Sequence, residues 1–468
     1  MKNLNWLRQG FPVTMAALLL VLGVTSCSKA KKDPLKAAGD SILITGISLV
    51  LAEENRATSP KDILISDGKI AGIKDAGLLP HSLAKNIISG EGLFVMPGII
   101  DVHAHIGDGG INAQSPSDRQ NALTQFVRYG VTSIFVPGGG AGNDHNMAEW
   151  KARCKTSELR CPDLFGSGAL ITVPGSHPIS TIWNFPEDIS EKILYARGAT
   201  VVKEDTNVDS LIESKVALGA DAIKIIIEDW GGTVPRLPNH QIEQLTSASH
   251  RHGLKVLAHV SMPAHIENGL AHGIDAVMHS VEGPLGQLTL ESMAQQRVFF
   301  VSTLSLYDGF INRALGKKTT DVFALAGVSE TALASLEDFN FSPFDTREQA
   351  LSVQATIFDN LRRAAEAGVP LALGTDVNNP AVYPGYSSHR EMELMVQAGL
   401  SPAVVLEAAT HGGAIFLAKH TELGRIQPGY EADLLLLKQN PLEDIRHTRG
   451  IHTVIADGRL VENVVTVP

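Results

Sequence analysis

The stretch that decides the fold is Met96-Pro97-Gly98-Ile99-Ile100-Asp101-Val102-His103-Ala104-His105. An apolar run ends in two histidines, and a glycine-rich segment (107–110) follows. Residues i and i+2 of a strand point to the same face, so His103 and His105 would present two imidazoles side by side at the carboxyl end of a strand. Neutral imidazole is a common ligand of zinc and similar ions. Because such histidine pairs also occur by chance, the rest of the chain must supply further ligands if this is a metal site.

Strands and helices alternate through the middle of the chain. The strand candidates are 94–101, 131–136, 164–171, 222–227, 255–259, 276–279, 299–303 and 371–374. Most of them are preceded by helical stretches, such as 121–129, 208–218, 241–252 and 357–367. Eight strand–helix units predict an α/β fold, a (β/α)8 TIM-like barrel over residues 94–423. An open, doubly wound sheet is the alternative architecture.

Short apolar strands also lie at both ends of the chain, at 41–46 and 62–70 and again at 432–437 and 454–461. Each end carries an Asp-Gly pair that is typical of a hairpin turn. Because chain ends often lie close together, residues 40–93 and 424–468 are predicted to form one small composite β-sandwich domain.

The first 26 residues are typical of a signal peptide. Lys2 and Arg8 precede an apolar segment (11–24) that is too short to span a membrane comfortably. The sequence Val24-Thr25-Ser26-Cys27 then resembles a bacterial lipobox, whose cysteine is lipidated and becomes the new N-terminus. A plain signal peptide with an incidental cysteine is the alternative.

The residue after Cys27 is Ser28, which resembles the signal for outer-membrane sorting. The expected location is therefore the bacterial outer membrane, with the protein facing the periplasm. Residues 27–39 are polar and small and predict a tether. Contact with the membrane is expected only through the lipid anchor.

Composition excludes little beyond one class of partner. The chain of 468 residues carries a net charge of −11, which argues against a nucleic-acid partner. Cys154 and Cys161 bracket a polar loop, and a disulfide is permitted outside the cytoplasm. Whether their Cα atoms come close enough is not decided by the sequence, so the pairing stays open.

In such a barrel, functional groups lie at the carboxyl ends of the strands. Histidines at strand ends are often core residues, and an aspartate there often caps the next helix. Lys224 is harder to explain, because a lysine among isoleucines is costly to bury unless it is paired or neutralised. Taken together, the strand ends predict one metal site made of His103, His105, Lys224, His259, His279 and Asp376.

These motifs resemble the amidohydrolase superfamily, in the branch of imidazolonepropionase-like and Xaa-Pro dipeptidase (prolidase)-like metal-dependent hydrolases. The resemblance covers about residues 40–468. It rests on the stretch 96–105, the Ile-Lys-Ile around Lys224, His259, the segment 275–280 and Gly374-Thr375-Asp376. The run 424–434 resembles the superfamily's return from the barrel to the β domain.

The resemblance implies two divalent metal ions, with zinc as the default. Lys224 would react with CO2 to form a carbamate, an anionic ligand that bridges the two ions. His103, His105 and Asp376 would hold the more buried ion, and His259 and His279 would hold the second. A metal-bridging hydroxide would attack the scissile carbonyl, and Asp376 would shuttle its proton to the leaving nitrogen.

Substrate contacts are less defined. Ser261 stands where prolidase-like relatives often have a second histidine, and the deaminase-type His-x-x-Glu is absent after His259. The candidate substrate contacts lie on loops or beyond the eighth strand, where packing or surface roles are also compatible with the sequence. They are His177, Trp230, Tyr383 and His389.

The sequence therefore predicts a hydrolase of a C–N amide or peptide bond in a small substrate, such as an Xaa-Pro dipeptide or an N-acyl amino acid. Hydrolysis of a cyclic amide or lactone at the same site is one alternative. A catalytically inactive metal-binding lipoprotein is another, although the intact Asp376 argues against it. A homo-oligomer is compatible with the sequence, which sets neither the metal nor the substrate.

Overall fold

The computed structural model describes residues 41–106, 116–138, 143–156, 160–186, 188–318, 320–328, 330, 333–334, 343–379 and 381–466. The predicted signal peptide (1–26), the predicted lipidation site Cys27 and the predicted tether (27–39) lie outside these residues, as does the segment 107–110. None of the helices in the described ranges combines the length and the apolar character needed to cross a membrane.

The strands are β1 (Ile42–Leu51), β2 (Arg56–Ala57), β3 (Lys61–Ser66), β4 (Lys69–Asp75), β5 (Asn86–Ser89), β6 (Phe94–Pro97), β7 (Ile99–Asp101), β8 (Val131–Val136), β9 (Asp163–Gly166), β10 (Leu170–Thr172), β11 (Ala199–Val201), β12 (Ala222–Ile226), β13 (Lys255–His259), β14 (Ala276–Met278), β15 (Phe299–Val301), β16 (Leu434–Leu437), β17 (Ile451–Ala456) and β18 (Arg459–Leu460).

The α-helices are α1 (Pro116–Arg128), α2 (Asp144–Cys154), α3 (Glu191–Ala196), α4 (Val208–Ala217), α5 (Asn239–Arg251), α6 (Pro263–Ala271), α7 (Gln287–Gln296), α8 (Leu304–Ala314), α9 (Val322–Gly327), α10 (Arg347–Glu366), α11 (Tyr386–Gln397), α12 (Pro402–Glu407) and α13 (Gly413–Phe416). A π-helical turn, Ala408–Gly412, joins α12 to α13. Short 3-10 helices lie at Ala52–Glu54, His81–Leu83 and Ile445–Arg449.

Both ends of the chain contribute to one mixed sheet. Its strand order is β18-β17-β16-β6-β1-β3-β4, and β2 and β5 also pair with β1. The antiparallel pair of β16 and β6, with Leu434 opposite Pro97, joins the C-terminal strands to the N-terminal ones. The predicted sandwich and its boundaries at residues 40–93 and 424–468 stay predictions.

The middle of the chain is a set of parallel strands that alternate with helices, in a TIM-barrel-like arrangement. One sheet has the order β7-β8-β9, and the other has the order β11-β10-β12-β13-β14-β15. The Asp221 N–H donates to the Gly166 carbonyl at 2.9 Å, which connects the end of β9 to the start of β12. At the other side, residues 371–377 lie between β15 and β7 through two isolated parallel bridges, Phe300 to Leu371 and Ala104 to Val377.

Three strand predictions differ from the structure. The predicted strand 371–374 is present only as the isolated bridge at Leu371. The predicted strand 164–171 is split into β9 and β10, and the predicted strand 94–101 is split into β6 and β7 at Gly98.

The split at Gly98 has a steric cause. A Cβ at this residue would lie 2.1 Å from Thr132 Oγ1, so only glycine fits there. The Gly98 N–H donates to the Asp433 carbonyl beside β16, whereas the Ile99 N–H donates to the Gly130 carbonyl beside β8. The chain therefore passes from the terminal sheet to the parallel strands at this residue, which delivers β7 to the site.

The core lies around the parallel strands. All five residues of β12 are buried, as expected of a parallel strand that is covered on both faces. Ile223 and Ile225 are completely buried, and Lys224 lies between them with 3% exposure. Packing alone does not explain a lysine at this buried position, so the chemistry of its amine has to.

Candidate active site

A cavity of about 430 Å³ lies at the carboxyl ends of the parallel strands. The segment after β7 contributes two histidines, β12 contributes the lysine, β13 and the residue after β14 contribute one histidine each, and residues 371–377 contribute the aspartate. The cavity lining therefore includes all six predicted metal ligands, His103, His105, Lys224, His259, His279 and Asp376.

Asp376 lies at the centre of this group. Its Oδ1 is 3.1 Å from His105 Nε2 and 3.5 Å from His103 Nε2. Its Oδ2 is 3.6 Å from His279 Nδ1. The ring centroids of His259 and His279 are 4.3 Å apart, and those of His279 and His103 are 4.5 Å apart, so the second histidine pair adjoins the first.

Three nitrogen atoms in the group test whether these residues fit a metal ion. His103 Nδ1, Lys224 Nζ and His279 Nε2 are buried, and no hydrogen-bond partner is found for them in the described ranges. A buried polar atom without a partner costs on the order of 1–3 kcal/mol. Ligand atoms of His103, His279 and Asp376 also lie within 4.8 Å of one another. Imidazoles with a carboxylate form a donor set that fits a divalent metal ion.

Burial sets the protonation of the group. Desolvation, followed by the charges of Lys224 and neighbouring histidines, holds the pKa of His103 well below its usual value. Desolvation likewise lowers the pKa of His259 and of His279. These rings are therefore neutral, which is the form that binds metals. Desolvation also lowers the pKa of Lys224 to about 7, so much of this amine is uncharged near neutral pH.

Asp101 positions two segments that carry predicted metal ligands. Its carboxylate accepts hydrogen bonds from the His103 N–H at 3.1 Å, from Thr375 Oγ1 at 2.7 Å and from Ser388 Oγ at 3.0 Å. It thereby joins the histidine-bearing segment to the aspartate-bearing one. Burial raises the pKa of Asp101 to about 6.

Two of the four predicted substrate contacts line the cavity. The His177 ring is stacked on His259, with centroids 4.4 Å apart, and it lies 5.4 Å from the Trp230 ring. His177 Nδ1 is 2.6 Å from Thr181 Oγ1, which orients the ring. His177 and Trp230 are therefore in place to contact a substrate.

The other two predictions, Tyr383 and His389, are corrected by the structure, because neither residue lines the cavity. His389 is completely buried, and its ring nitrogens lie 2.8 Å from the Tyr129 carbonyl and 3.0 Å from Thr448 Oγ1. Tyr383 is also completely buried and packs near Tyr386. The physical reason is that the first turns of α11, which include His389, are buried in the core, and Tyr383 is buried just before this helix.

Sequence reasoning missed a buried acid beside the cavity. Glu228, which follows the apolar run of β12, is 1% exposed. Its Oε1 accepts from the Trp230 N–H at 3.1 Å and lies 3.1 Å from His265 Nδ1, and its Oε2 accepts from Ser261. A carboxylate directly after a buried strand is the signal that could have found it.

A second missed pair faces the cavity itself. Tyr307 Oη donates to Glu282 Oε1 at 2.9 Å, and both residues line the cavity. The sequence carries a weak signal for this pair, since Glu282 follows the predicted metal ligand His279 by three residues.

Away from the site, the sulfur atoms of Cys154 and Cys161 lie within bonding distance, and their Cα atoms are 5.4 Å apart. The geometry therefore permits the disulfide that the sequence left open.

Comparison with protein families agrees with this geometry. Residues 94–461 match the amidohydrolase family, so the chain belongs to that family. It is a hydrolase that acts on carbon–nitrogen bonds. The predicted resemblance is confirmed, and a divalent-metal site is in keeping with the donor set described above.

Individual relatives have low sequence identity to this chain but match most of its length. Ochratoxinase from Aspergillus niger is 23% identical over 411 residues, which cover 82% of this chain and 78% of that protein. Imidazolonepropionase from Alkaliphilus oremlandii is 22% identical over 389 residues, which cover 80% of this chain and 83% of that protein. The crystal structure of a Xaa-Pro dipeptidase with bound methionine matches with a TM-score of 0.70 and 23% identity, covering 90% of this chain and 99% of that one. At this identity the structural likeness shows the fold.

Proposed function

We propose that this amidohydrolase is a binuclear-metal enzyme that cleaves the amide or peptide bond of a small substrate, such as an Xaa-Pro dipeptide or an N-acyl amino acid. The observation that carries the proposal is that His103, Lys224 and His279 line one cavity with Asp376, and each has a buried nitrogen for which no hydrogen-bond partner is found in the described ranges. We further propose that the parallel strands and residues 371–377 form a (β/α)8 barrel, and that the terminal sheet is a composite β-sandwich domain.

In this proposal His103, His105 and Asp376 would hold one divalent ion, and His259 and His279 would hold the other. Zinc suits this set of ligands. Two such ions would lower the pKa of a water molecule and polarise the substrate carbonyl.

Lys224 would contribute as a carbamate. Its uncharged amine attacks CO2, one C–N bond forms and one proton is released, which leaves an anionic group with oxygen ligands. The burial that lowers the pKa of Lys224 supports this step, because only the neutral amine is a nucleophile. An ammonium group at the same place would repel two cations.

Asp376 would move the proton. It would accept a proton from the attacking water and donate it to the leaving nitrogen, as general acid–base catalysis requires. Two contacts hold the segment of Asp376 in place. Asp376 lies 3.1 Å from His105, and the neighbouring Thr375 donates a hydrogen bond to Asp101. His177 and Trp230 would orient the substrate on the wall beside His259.

The test is metal analysis combined with a substrate panel. Zinc-loaded protein grown with CO2 is expected to hold about two ions per chain and to hydrolyse dipeptides or N-acyl amino acids. Hydrolysis of cyclic amides or lactones alone would favour the second enzymatic reading. No turnover by protein that holds both ions would contradict the proposal and favour a metal-binding lipoprotein.

We also propose, from the lipobox alone, that Cys27 is lipidated and anchors the enzyme at the outer membrane, facing the periplasm. Radiolabelled palmitate is expected to enter the wild-type protein and not Cys27→Ala. Equal labelling of both would contradict the proposed anchor.

A further inference from the structure

The cavity wall formed by β14 and α8 carries a carboxylate that the proposed mechanism does not use. Glu282 lies just after β14, and its backbone N–H donates to the Ser261 carbonyl at 3.0 Å. Tyr307, in the first turns of α8, donates its hydroxyl to Glu282 Oε1 at 2.9 Å. Both side chains line the cavity.

This hydrogen bond occupies Oε1 of Glu282 and leaves Oε2 available as an acceptor. Tyr307 is 5% exposed, and burial raises the pKa of its phenol, so it remains a donor. Its single O–H is used on Oε1. Across the described ranges, no residue donates a hydrogen bond to Glu282 Oε2. The carboxylate is therefore held in one orientation with an acceptor to spare.

The described residues beside Glu282 on this wall are apolar. Leu306 and Phe310, from the same helix as Tyr307, line the cavity beside Glu282. Among the cavity-lining residues that the structure describes, there is no arginine, and the lysine is Lys224 of the metal group. A substrate carboxylate beside Glu282 would be repelled by its charge, and no cationic side chain of the described wall next to Glu282 would offset that repulsion.

We propose that Glu282 is a specificity-determining residue that accepts a hydrogen bond from an amino group of the substrate. This inference rests on the proposed function and separates the two substrate classes that it names. A dipeptide or aminoacyl amide presents a protonated amine to Glu282. An N-acyl amino acid carries only a carboxylate and is disfavoured at this wall. Tyr307 is a positioning residue that orients the carboxylate.

Binding of two isosteric ligands that the enzyme cannot hydrolyse tests this directly. Isothermal titration of the zinc-loaded protein with 3-phenylpropylamine and with 3-phenylpropan-1-ol is expected to show about tenfold tighter binding of the amine, the size of a charge-assisted hydrogen bond. Glu282→Gln is expected to abolish the preference. Glu291→Gln makes the same substitution at an exposed site on α7 and is expected to keep it.

Turnover gives a second readout. Leucine p-nitroanilide and its N-acetyl derivative differ only at the amine. Glu282→Gln is expected to raise KM about tenfold for the free amine while leaving kcat within about threefold, and to leave the acetylated substrate unchanged.

The two proposals can fail separately. If the wild-type protein prefers the amine ligand and Glu282→Gln loses that preference, but no amide is hydrolysed, the proposed function is wrong and the role of Glu282 stands. If it hydrolyses amides but binds both ligands equally, or if Glu282→Gln keeps the preference, the role of Glu282 is wrong. The comparison of ligands on the wild-type protein holds even if the variant does not fold.

Discussion

Glu228 Oε2 accepts two hydrogen bonds from Ser261, one from the backbone N–H at 2.8 Å and one from Oγ at 2.9 Å. Glu228 follows β12 and Ser261 follows β13, so one buried carboxylate joins the loops after two neighbouring strands. The other oxygen of Glu228 accepts from the Trp230 N–H. Since Trp230 and Ser261 both line the cavity, Glu228 fixes the shape of that wall.

Glu228→Gln is therefore expected to lower kcat/KM about tenfold without changing metal content. A glutamine has one acceptor oxygen and an NH2 group, so it cannot reproduce all the hydrogen bonds that the carboxylate accepts. Steady-state kinetics and metal analysis measure the two effects. The matched control is Glu213→Gln, at an exposed site on α4, which should behave as wild type. Unchanged kinetics in Glu228→Gln would show that the wall does not need this carboxylate.

Lys224→Ala is expected to reduce the bound metal from about two ions to about one and to lower turnover at least a hundredfold. The reason is the loss of the bridging carbamate. Lys255→Ala is the matched control, because Lys255 begins the neighbouring strand β13 at the end remote from the cavity. Metal analysis and turnover are measured on both variants. Activity that survives in Lys224→Ala would rule out the binuclear mechanism.

Asp376→Asn is expected to lower kcat by a factor of about 10²–10⁴, the usual contribution of general acid–base catalysis. The amide keeps the size of the side chain but cannot accept the proton. Most of the metal should stay bound, because the histidines and Lys224 remain. Persistent turnover at the wild-type rate would exclude Asp376 as the proton shuttle.

Gly374→Ala is expected to destabilise the fold by about 1–3 kcal/mol, as overpacking of a core does. A Cβ there would lie 2.5 Å from Val301 Cγ1 and 2.7 Å from His103 Cβ. The control is Gly286→Ala, since Gly286 has a φ of −67° and its nearest neighbour for a Cβ, Thr289 Oγ1, is 3.4 Å away. Denaturant midpoints of both variants provide the measurement. Equal midpoints would mean that the segment 374–376 can shift away from His103.

The buried carboxyl group of Glu391 is expected to make the free energy of unfolding depend on pH. Burial raises the pKa of Glu391 to about 7, although Ser302 Oγ and the Leu304 and Ser305 N–H groups donate to it. The folded state thus holds this proton at pH values where the unfolded state has released it. Stability from this group is full below about pH 4.3, the usual glutamate value, and is lost as the pH rises through the folded pKa of about 7.

Glu391→Gln has no charge to bury, so its melting temperature relative to wild type should be higher at pH 8 than at pH 5. Thermal unfolding at the two pH values measures this, with Glu348→Gln on the exposed side of α10 as the control. A difference that does not change with pH would contradict the raised pKa of Glu391.

Local sequence patterns predicted most of the residues in the candidate metal site. His103, His259 and His279 follow apolar runs, and in parallel strand–helix units the ends of such runs meet at one edge. Lys224 was conspicuous for its cost of burial. The cavity lining contains all of these residues, together with the predicted contacts His177 and Trp230.

Other features depend on distant partners. Pro97-Gly98 is a local turn signal, but the need for glycine at the switch between sheets comes from Thr132, which is distant in the chain. Tyr383 and His389 were wrongly predicted as substrate contacts because they follow Asp376 closely. Their orientation is set by packing against residues such as Tyr129 and Thr448, which are far away in the chain.

By itself, the sequence determined the alternation of strands and helices, the ligand types at the strand ends and the resemblance to amidohydrolases. These features are encoded within short windows, by periodicity and by residue chemistry. Only the tertiary structure decided which polar side chains meet around Asp376 and which are orphaned. It also decided that Glu282 lines the cavity and that Glu228 binds two residues of the cavity wall. Such contacts join residues tens to hundreds of positions apart, so they exist only once the chain has packed.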